Sequence, residues 1–182
     1  MKCNVIRAAL LVFVATLLGG CSCAGPTARP VIVSLDPELH GAQFRPIEVD
    51  LVFVQENEVP RWDAKSMLDY FGGGDIMRRD ERRKQTIVFN SGGPTQTTFG
   101  ATQEELNRMG QWIQEGATHM YVMARLPDHE KIGALTGPSD PRRQCLPLSQ
   151  CAWDEADVDQ SDVRIDVRRG SIVVTPGITC GR

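Results

Sequence analysis

The sequence predicts a mainly β protein, a small antiparallel β-sandwich with one or two short helical insertions. Short apolar runs rich in Val and Ile recur between residues 31 and 175, and several of them alternate with polar residues. Only two stretches combine helical spacing of apolar residues with capping signals. The sequence shows no regular succession of strand, helix and strand, which argues against a doubly wound parallel sheet.

Composition and charge narrow the class of protein further. The chain of 182 residues is 41% hydrophobic and 24% charged, which is ordinary for a folded protein. Its formal net charge is -3, without the basic field that binding to nucleic acid requires. We therefore expect no nucleic-acid partner.

Residues 1–20 are typical of a signal peptide. Lys2 and Arg7 give a positive start, and residues 8–18 then run without a charge. This run of eleven residues is too short for a membrane-spanning helix, which needs roughly 20. The sequence therefore predicts that this segment is removed and that the mature chain lies outside the cytoplasm.

The sequence LGGC at residues 18–21 resembles the bacterial lipobox, in which a leucine and two small residues precede a cysteine. The resemblance implies cleavage before Cys21 and attachment of lipid to its thiol and its new amine. One fatty chain holds a protein only marginally, whereas several hold it essentially permanently. Ser22, in place of an aspartate, favours the outer membrane. The alternatives are cleavage before Cys23, which lacks the leucine, and an ordinary secretory signal cut nearby.

The rest of the chain is expected to be a tether and one domain. Residues 21–30 are small and contain two prolines, which predicts a short lipidated tether. Residues 31–182 then provide about 150 residues, the size of one domain with a single core.

Two strands are expected first. Val31–Leu35 is apolar and ends at Asp36-Pro37. Ile47–Val54 alternates in polarity, with Asp50 on the face opposite to the apolar one. The side chains expected on its apolar face are Ile47, Val49, Leu51 and Phe53.

Two short helices are expected between later strands. Asp63 is the predicted N-cap of the first, which ends at the glycines of residues 72–74. Thr102 opens a capping box for the second, which Gly116 closes. The apolar side chains at helical spacing are Met67, Leu68 and Phe71 in the first helix and Leu106, Met109 and Ile113 in the second. The charge run at residues 75–84 predicts a solvated turn or exposed edge, with contact to a phosphate or an acidic partner as the alternative.

Four more strands complete the pattern. Residues 86–90 and 119–126 are apolar and end at turn residues. Residues 163–168 alternate as a one-sided antiparallel strand. Residues 171–175 return after a tight turn at Arg169-Gly170, which predicts a hairpin.

Four cysteines remain once Cys3 is removed and Cys21 carries lipid. These disulfide candidates are Cys23, Cys145, Cys151 and Cys180. In an oxidising compartment we expect at least one intramolecular bridge among them. A local bridge from Cys145 to Cys151 is the first choice, and the alternative joins one of these two to Cys180. Zinc binding is not expected, because the cysteines form no CxxC pair and have no histidine nearby.

Chemical motifs are scarce. The sequence lacks GxSxG, HExxH, GxGxxG and P-loop patterns, so no catalytic residue, cofactor or metal is predicted. His119, Asp128 and His129 are the one grouping that suggests acid–base chemistry, yet a predicted strand separates them. The acidic residues 154–162 lack the spacing of an EF-hand and predict a solvated loop, with Trp153 as a core or rim residue; contact with calcium or a sugar is the alternative.

Several stretches together resemble the family of type VI secretion outer-membrane lipoproteins. The lipobox and tether come first, followed by the strand Val31–Leu35 and a loop at residues 36–46 that contains proline and glycine. The dipeptide Arg45-Pro46 then leads into the second strand. Residues 75–81 resemble the family's segment of alternating acids and long apolar residues, and residues 116–126 resemble its late apolar strand.

The resemblance implies a transthyretin-like β-sandwich without catalytic activity or cofactor. It implies an anchor in the outer membrane that faces the periplasm and binds the periplasmic domain of an inner-membrane component of the secretion complex. The loop at residues 36–46 then carries much of that contact, with Phe44 as its apolar anchor. The flanking candidates for partner binding are His40, Gln43 and Arg45. The alternative is a plain surface loop with Phe44 folded onto the core.

Two other functions stay open at this point. A generic envelope binding module for peptidoglycan, sugar or calcium would use Trp153 and the acidic residues after it. A periplasmic hydrolase would need the histidine and aspartate grouping to come within hydrogen-bond reach. The resemblance assigns no role to the cysteine-bearing C-terminal extension.

Overall fold

The computed structural model describes residues 25–40, 44–149, 162–175, 177 and 180. The strands in this part of the chain are β1 (Val31–Leu35), β2 (Ile47–Val54), β3 (Lys84–Phe89), β4 (Gln96–Phe99), β5 (His119–Ala124), β6 (Arg143–Pro147), β7 (Val163–Val167) and β8 (Ile172–Thr175). The α-helices are α1 (Val59–Asp63), α2 (Met67–Tyr70), α3 (Ile76–Asp80), α4 (Gln103–Gln114) and α5 (His129–Ile132). Within these ranges, no helix is long and apolar enough to cross a membrane.

The strands form two four-stranded sheets. Sheet A has the order β4-β1-β7-β8, and sheet B has the order β3-β2-β5-β6. The predicted mainly β sandwich with short helical insertions is confirmed. Among the described strands, every pairing is antiparallel except that of β1 with β7, which is parallel and places Val31 opposite Val163. These two strands are far apart in sequence, so no hairpin forces them to run in opposite directions.

The predicted strands are largely confirmed, but two strands were missed. β1 and β2 have the predicted bounds, and the strand starting at His119 ends two residues earlier than expected, at Ala124. β4 was missed because its sequence QTTF has one apolar residue. β6 was missed because its sequence RQCLP begins with an arginine and ends with a proline, both of which suggest a loop.

The main core lies between the two sheets. The predicted apolar face of β2 points into it, and Phe53 packs against Trp112 and Phe99 with ring centroids 5.0 and 6.5 Å apart. α4 closes one end of this core through Met109 and Trp112. The core-facing residues of β2 are Ile47, Val49, Leu51 and Phe53.

The capping box of α4 is confirmed. The Thr102 hydroxyl accepts a hydrogen bond from the Glu105 backbone N–H (3.3 Å), and the Glu105 carboxylate accepts one from the Thr102 N–H (3.2 Å). Gly116 follows the helix with a φ of +99°, a conformation that favours glycine. This helix therefore begins and ends where its sequence signals predict.

A second core covers the outer face of sheet B. Val52, Tyr121 and Met123 point outward from the sheet and are fully buried beneath residues 55–83, the connection between β2 and β3. The side chains that this connection contributes are Trp62, Met67, Tyr70 and Phe71. Strands β2 and β5 of sheet B are therefore buried on both faces, and the connection that contains α1, α2 and α3 covers their outer side.

The predicted N-cap of the first helix was wrong. Pro60 opens an earlier helix, α1, which ends at Asp63. Ser66 instead caps α2, accepting a hydrogen bond from the Asp69 N–H at 3.4 Å. The Asp63 carboxylate accepts a hydrogen bond from the Tyr121 hydroxyl (2.9 Å), which ties α1 to β5.

Asp50 holds the second core in place. Its carboxylate has no exposed surface and accepts hydrogen bonds from the Tyr70 hydroxyl (2.9 Å), Arg78 Nε (2.8 Å) and the Thr86 hydroxyl (2.6 Å). Burial, and then the charge of Asp50, raise the pKa of Tyr70 far above its ordinary value, so this phenol stays a donor. A charge that the sequence places on a polar face is thus the centre of a buried hydrogen-bond network.

The predicted solvation of residues 75–84 was wrong for Asp75 and Arg83, whose side chains are 7% and 14% exposed, and for Arg78. The guanidinium of Arg78 also pairs with Glu48 and lies 4.6 Å from the ring centroid of Phe71. Burial opposes its charge, but hydrogen bonds to Asp50 and Glu48 outweigh burial and hold its pKa above the ordinary value. The neighbouring Arg79 and Asp80 are exposed, as predicted.

A disulfide joins Cys145 to Cys180, with Cα atoms 5.5 Å apart. The first-choice bridge from Cys145 to Cys151 was wrong, and the alternative partner Cys180 is confirmed. The assumed loop is strand β6, which runs through Cys145 to Pro147 instead of turning back at once. The Cys180 N–H also donates to the Cys145 carbonyl (3.1 Å), so Cys180 lies at the free edge of sheet B. Such a bridge typically contributes about 2–4 kcal/mol.

Replacing Asp50 by asparagine tests the importance of this network. We expect Asp50→Asn to lower the free energy of unfolding by about 3 kcal/mol, because it removes one partner of a buried charge pair and sets an amide donor against three donors. Denaturant unfolding measures the change. Asp80→Asn is the matched control, since its carboxylate pairs with Arg79 in solvent, and it should change stability little. Equal effects of the two substitutions would contradict the assignment.

Candidate partner-binding surface

Three connections meet at one end of the sandwich, which we call the loop pole. It comprises residues 36–40, 44–46, 125–142 and 168–171. The parallel pairing sets Leu35 opposite Val167, so β1 and β7 finish together. In sheet B, Val49 near the start of β2 lies opposite Ala124, the last residue of β5. Residues 25–30 enter β1 from the opposite end, so these residues and the loop pole lie at opposite ends of the sandwich.

The first half of the β1–β2 loop is folded tightly. The Asp36 carboxylate caps a 3-10 turn at Pro37–Leu39 by accepting a hydrogen bond from the Glu38 N–H (3.0 Å). Leu39 is buried and anchors this turn in the main core. His40 is exposed at the surface, and its Nε2 lies 3.0 Å from the carbonyl of Leu35.

The second half of the loop presents one apolar and one charged candidate. Phe44 is half-buried and packs against the main core, so part of its ring remains available at the surface. Arg45 is exposed and forms a 3.4 Å ion pair with Glu130, whose side chain is also exposed. Gln43, the remaining loop candidate, lies outside the described residues.

A cleft of about 260 Å³ opens beside Phe44 and Arg45. Its other walls come from the β5–β6 connection and from the turn after β7. The lining residues that matter below are Phe44, Arg45, Arg125, Leu126, Glu130 and Arg169. The sequence did not predict the two arginines at residues 125 and 169, because only the strand order reveals that their connections share one end of the sandwich.

A buried ion pair holds the β5–β6 connection. Arg142 and Asp140 have no exposed surface and form a two-pronged pair, with Nε to Oδ1 at 2.9 Å and an outer guanidinium nitrogen to Oδ2 at 2.7 Å. The remaining donors of Arg142 reach the carbonyls of His129 (3.1 Å) and Gly133 (2.7 Å). The wall of the cleft is therefore fixed by a pair whose hydrogen-bonding capacity is satisfied.

His129 lies between this ion pair and the cleft. Its Nδ1 is 3.4 Å from the Arg142 guanidinium, which can only donate, so the neutral ring carries its proton on Nε2. The ring edge meets Phe71 at a centroid distance of 5.6 Å. Burial, and then the charges of Arg142 and Arg125, lower the pKa of His129 despite the opposing charges of Asp140 and Glu130.

The hydrolase grouping does not form. His119 begins β5 at the tether end, where its Nδ1 contacts the Thr118 hydroxyl (2.9 Å) and Glu56 (3.5 Å). His129 follows the other end of β5, and six extended residues separate the two ends by about 17 Å. This distance exceeds hydrogen-bond reach, so the two histidines and Asp128 share no site.

The remaining features of the sequence concern metal binding, the acidic stretch at residues 154–162 and the other cysteines. Among the described residues, no group of three or more His, Cys, Asp or Glu side chains is arranged to hold a metal ion. The acidic stretch lies outside the described residues except for Asp162, as do Trp153, Cys21, Cys23 and Cys151. The binding hypothesis for calcium or sugar therefore falls on residues that the structure does not describe.

The chain is similar in structure to components of type VI secretion systems. It matches Lip, a membrane-bound component of the system of Serratia marcescens, at 12% identity, with 82% of this chain and 96% of that chain covered and a TM-score of 0.46. It matches the lipoprotein TssJ1 of Pseudomonas aeruginosa at 13% identity, covering 82% and 95%, with a TM-score of 0.38. It also matches a structure described as the C-terminal domain of TssM from EAEC at 12% identity, covering 80% and 98%, with a TM-score of 0.46.

No protein-family profile and no curated protein matches the sequence. Residue roles do not transfer across identities as low as those of the structural matches.

The position of His129 predicts a pH dependence of stability. Its folded-state pKa lies below the unfolded value of about 6.5, so its contribution to stability is present above that pH and is lost as the pH falls through the folded pKa. We expect the free energy of unfolding of His129→Gln to fall less steeply than that of the wild type below about pH 6.5. Denaturant unfolding at several pH values measures both slopes, and identical slopes would contradict the prediction.

Proposed function

We propose that this chain is a lipid-anchored scaffold protein of a type VI-like secretion membrane complex. In this proposal residues 1–20 are removed as a signal peptide, Cys21 carries the lipid, and residues 21–30 tether the sandwich of residues 31–182 to the outer membrane. The sandwich faces the periplasm and binds the periplasmic domain of an inner-membrane component through its loop pole. The proposal includes no catalytic step.

The observation that carries the proposal is that residues 25–30 and the loop at residues 36–46 are attached to opposite ends of the sandwich. The described part of the tether enters β1 at one end, and the loop at residues 36–46 leaves β1 at the other. A protein held in a membrane by its N-terminus therefore presents this loop away from that membrane. A partner anchored in the opposite membrane meets the loop first.

The stretches that carry the family resemblance support the same proposal. Val31–Leu35, Ile47–Val54 and residues 116–126 supply β1, β2 and β5. These are inner strands of the two sheets. The resemblance therefore concerns the frame of the sandwich and the loop that connects its sheets.

Lipid attachment is tested at Cys21. We expect the wild-type chain to incorporate radiolabelled palmitate and to sediment with membranes, because the cleaved cysteine supplies the acceptor thiol and amine. Cys21→Ser should lose the label and remain uncleaved, whereas Cys23→Ser should keep both label and cleavage. Labelling of the Cys21→Ser chain, or loss of label in the Cys23→Ser chain, would contradict the assigned position.

Partner binding is tested by purification from envelopes. We expect the tagged full-length chain, solubilised in detergent, to recover an inner-membrane component of a type VI secretion system. Phe44→Ala should weaken this association at least about tenfold, because a part-buried aromatic at an interface centre is a common anchor. Ile76→Ala is the matched control, since Ile76 is an apolar residue of α3 that is 63% exposed and does not line the cleft.

The same experiment has two contrary outcomes. Failure of the wild type to recover any such component would contradict the proposed function. Recovery that Phe44→Ala and Ile76→Ala reduce equally would contradict the assignment of the loop as the contact.

A further inference from the structure

Three arginines from three separate connections surround the cleft of the loop pole. Arg45 precedes β2, Arg125 follows β5 and Arg169 follows β7. Their distance in sequence means that the fold alone brings them together. Between them the cleft has an apolar wall made of Phe44 and Leu126.

The positive charges of the cleft are weakly compensated. Arg45 and Glu130 are paired at 3.4 Å, but their side chains are 85% and 78% exposed, so the pair contributes little. Arg125 reaches the Glu48 carboxylate only at 3.5 Å. Arg169 makes no ion pair with any residue in the described ranges.

The nearby acids offset these charges only in part. Glu130 is the one carboxylate in the lining of the cleft. Asp128, at its rim, accepts a hydrogen bond from Lys131 at 2.8 Å, and this bond, followed by the charges of Lys131 and Arg169, lowers the pKa of Asp128, so its single charge is shared between two cations. The cleft is therefore a positive site on a chain whose formal net charge is -3.

We infer that this cleft receives a carboxylate of the protein partner, an Asp or Glu side chain next to an apolar residue. The planar guanidinium of arginine matches a carboxylate with two parallel hydrogen bonds. The partly enclosed cleft strengthens this attraction relative to an open surface. The apolar wall buries the residue beside the acid. The identity of the partner rests on the proposed function, whereas the carboxylate preference rests on the cleft itself.

The geometry disfavours a lipid headgroup as the occupant. The loop pole lies at the end of the sandwich opposite to the tether, so it is directed away from the anchoring membrane. A phosphodiester and a carboxylate each carry one negative charge, so Glu130 opposes both alike. The direction of the loop pole is therefore what favours an acidic side chain of the partner.

Glu130 then acts as an internal competitor. Its carboxylate already lies near Arg45, and a partner carboxylate has to share or displace that contact. Removing the Glu130 charge should therefore strengthen binding, whereas reversing the Arg169 charge should weaken it. Two substitutions with opposite expected signs separate an electrostatic role from general damage to the surface.

The test measures affinity between the full-length lipoprotein and the inner-membrane component, both in detergent. We expect Arg169→Glu to weaken binding about tenfold and Glu130→Gln to tighten it about twofold, with the larger differences at low salt. Arg82→Glu is the matched control, because Arg82 is exposed before β3 and outside the cleft, and it should leave affinity unchanged. Thermal unfolding confirms that each variant folds. An Arg169→Glu variant that binds like the wild type, or a Glu130→Gln variant that binds more weakly, would overturn the inference.

A cross-linking measurement identifies the group in the cleft. Arg169→Lys keeps the positive charge and introduces an amine, which a carbodiimide joins to a contacting carboxylate with loss of water. We expect mass spectrometry to find this amine linked to an Asp or Glu of the partner, and Arg82→Lys to give no such product. A formed complex in which the cleft amine cross-links to no partner carboxylate would also overturn the inference.

Failure of the inference and failure of the proposed function give different results. A complex that forms but ignores these charges leaves the proposed function standing and removes the inference. If no inner-membrane component binds, the probe is the peptide acetyl-Leu-Glu-Leu-amide, with its Gln analogue as control. Binding of the Glu peptide that Arg169→Glu abolishes supports the inference alone, and absence of such binding removes it. Sedimentation of the Cys21→Ser chain with phosphatidylglycerol vesicles that depends on Arg169 would show a lipid site instead.

Discussion

Asp50 lies in the middle of β2 with no exposed surface, where an ionised carboxylate is stable only if donors surround it. Its three donors come from α2, α3 and β3, so these elements have one register in which every hydrogen bond forms. Apolar contacts alone would allow the covering helices to slide over the sheet. The carboxylate therefore specifies where residues 55–83 lie, and the apolar side chains around it supply most of the free energy.

Buried arginines fix the β5–β6 connection in the same way, through hydrogen bonds that only one arrangement satisfies. Arg143, at the start of β6, donates to the carbonyls of Trp62 (2.6 Å), Lys65 (3.0 Å) and Asp63 (2.9 Å), and its burial lowers its pKa. It thereby joins sheet B to the end of α1. Arg142 fixes the same connection from the other side through Asp140. The cleft is thus built on a connection that two adjacent arginines hold from within.

Glu48 connects these two regions. It accepts a hydrogen bond from Arg78 of the covering segment and lies 3.5 Å from Arg125 of the cleft. The positions of the Asp50 network and of one cleft arginine are therefore linked through one carboxylate on β2. A substitution in residues 55–83 that moves Arg78 should therefore also shift Glu48 and, through it, Arg125 in the cleft.

Most of the sandwich frame follows from local patterns. The alternation of β2, the hairpin of β7 and β8 and the capping box at Thr102 depend on neighbours in sequence, and sequence analysis finds them. β4 and β6 lack that signal, because pairing with β1 and β5 stabilises them. The burial of Arg78 and the pairing of Cys145 depend on tertiary contacts in the same way.

Some residues of the candidate site could likewise be found from the sequence, and others only from the fold. The loop with Phe44 and Arg45 was found by resemblance, since it precedes a recognisable strand. Arg125 and Arg169 follow different strands and meet only because β5 and β7 end at the same pole. Their proximity therefore cannot be predicted from a single sequence.

The position of β1 has a mechanical consequence. Residues 25–30 precede this strand and the β1–β2 loop follows it, so tension between the two passes along five residues. β1 is held by β4 on one side and by β7 on the other, and the bonds continue past its ends, from the Val163 N–H to the Pro30 carbonyl and from the Asp36 N–H to the Val167 carbonyl. A pull along the strand loads both ladders together in shear, and no ladder can open one bond at a time. The sandwich is therefore oriented to resist force along the line that joins its two ends.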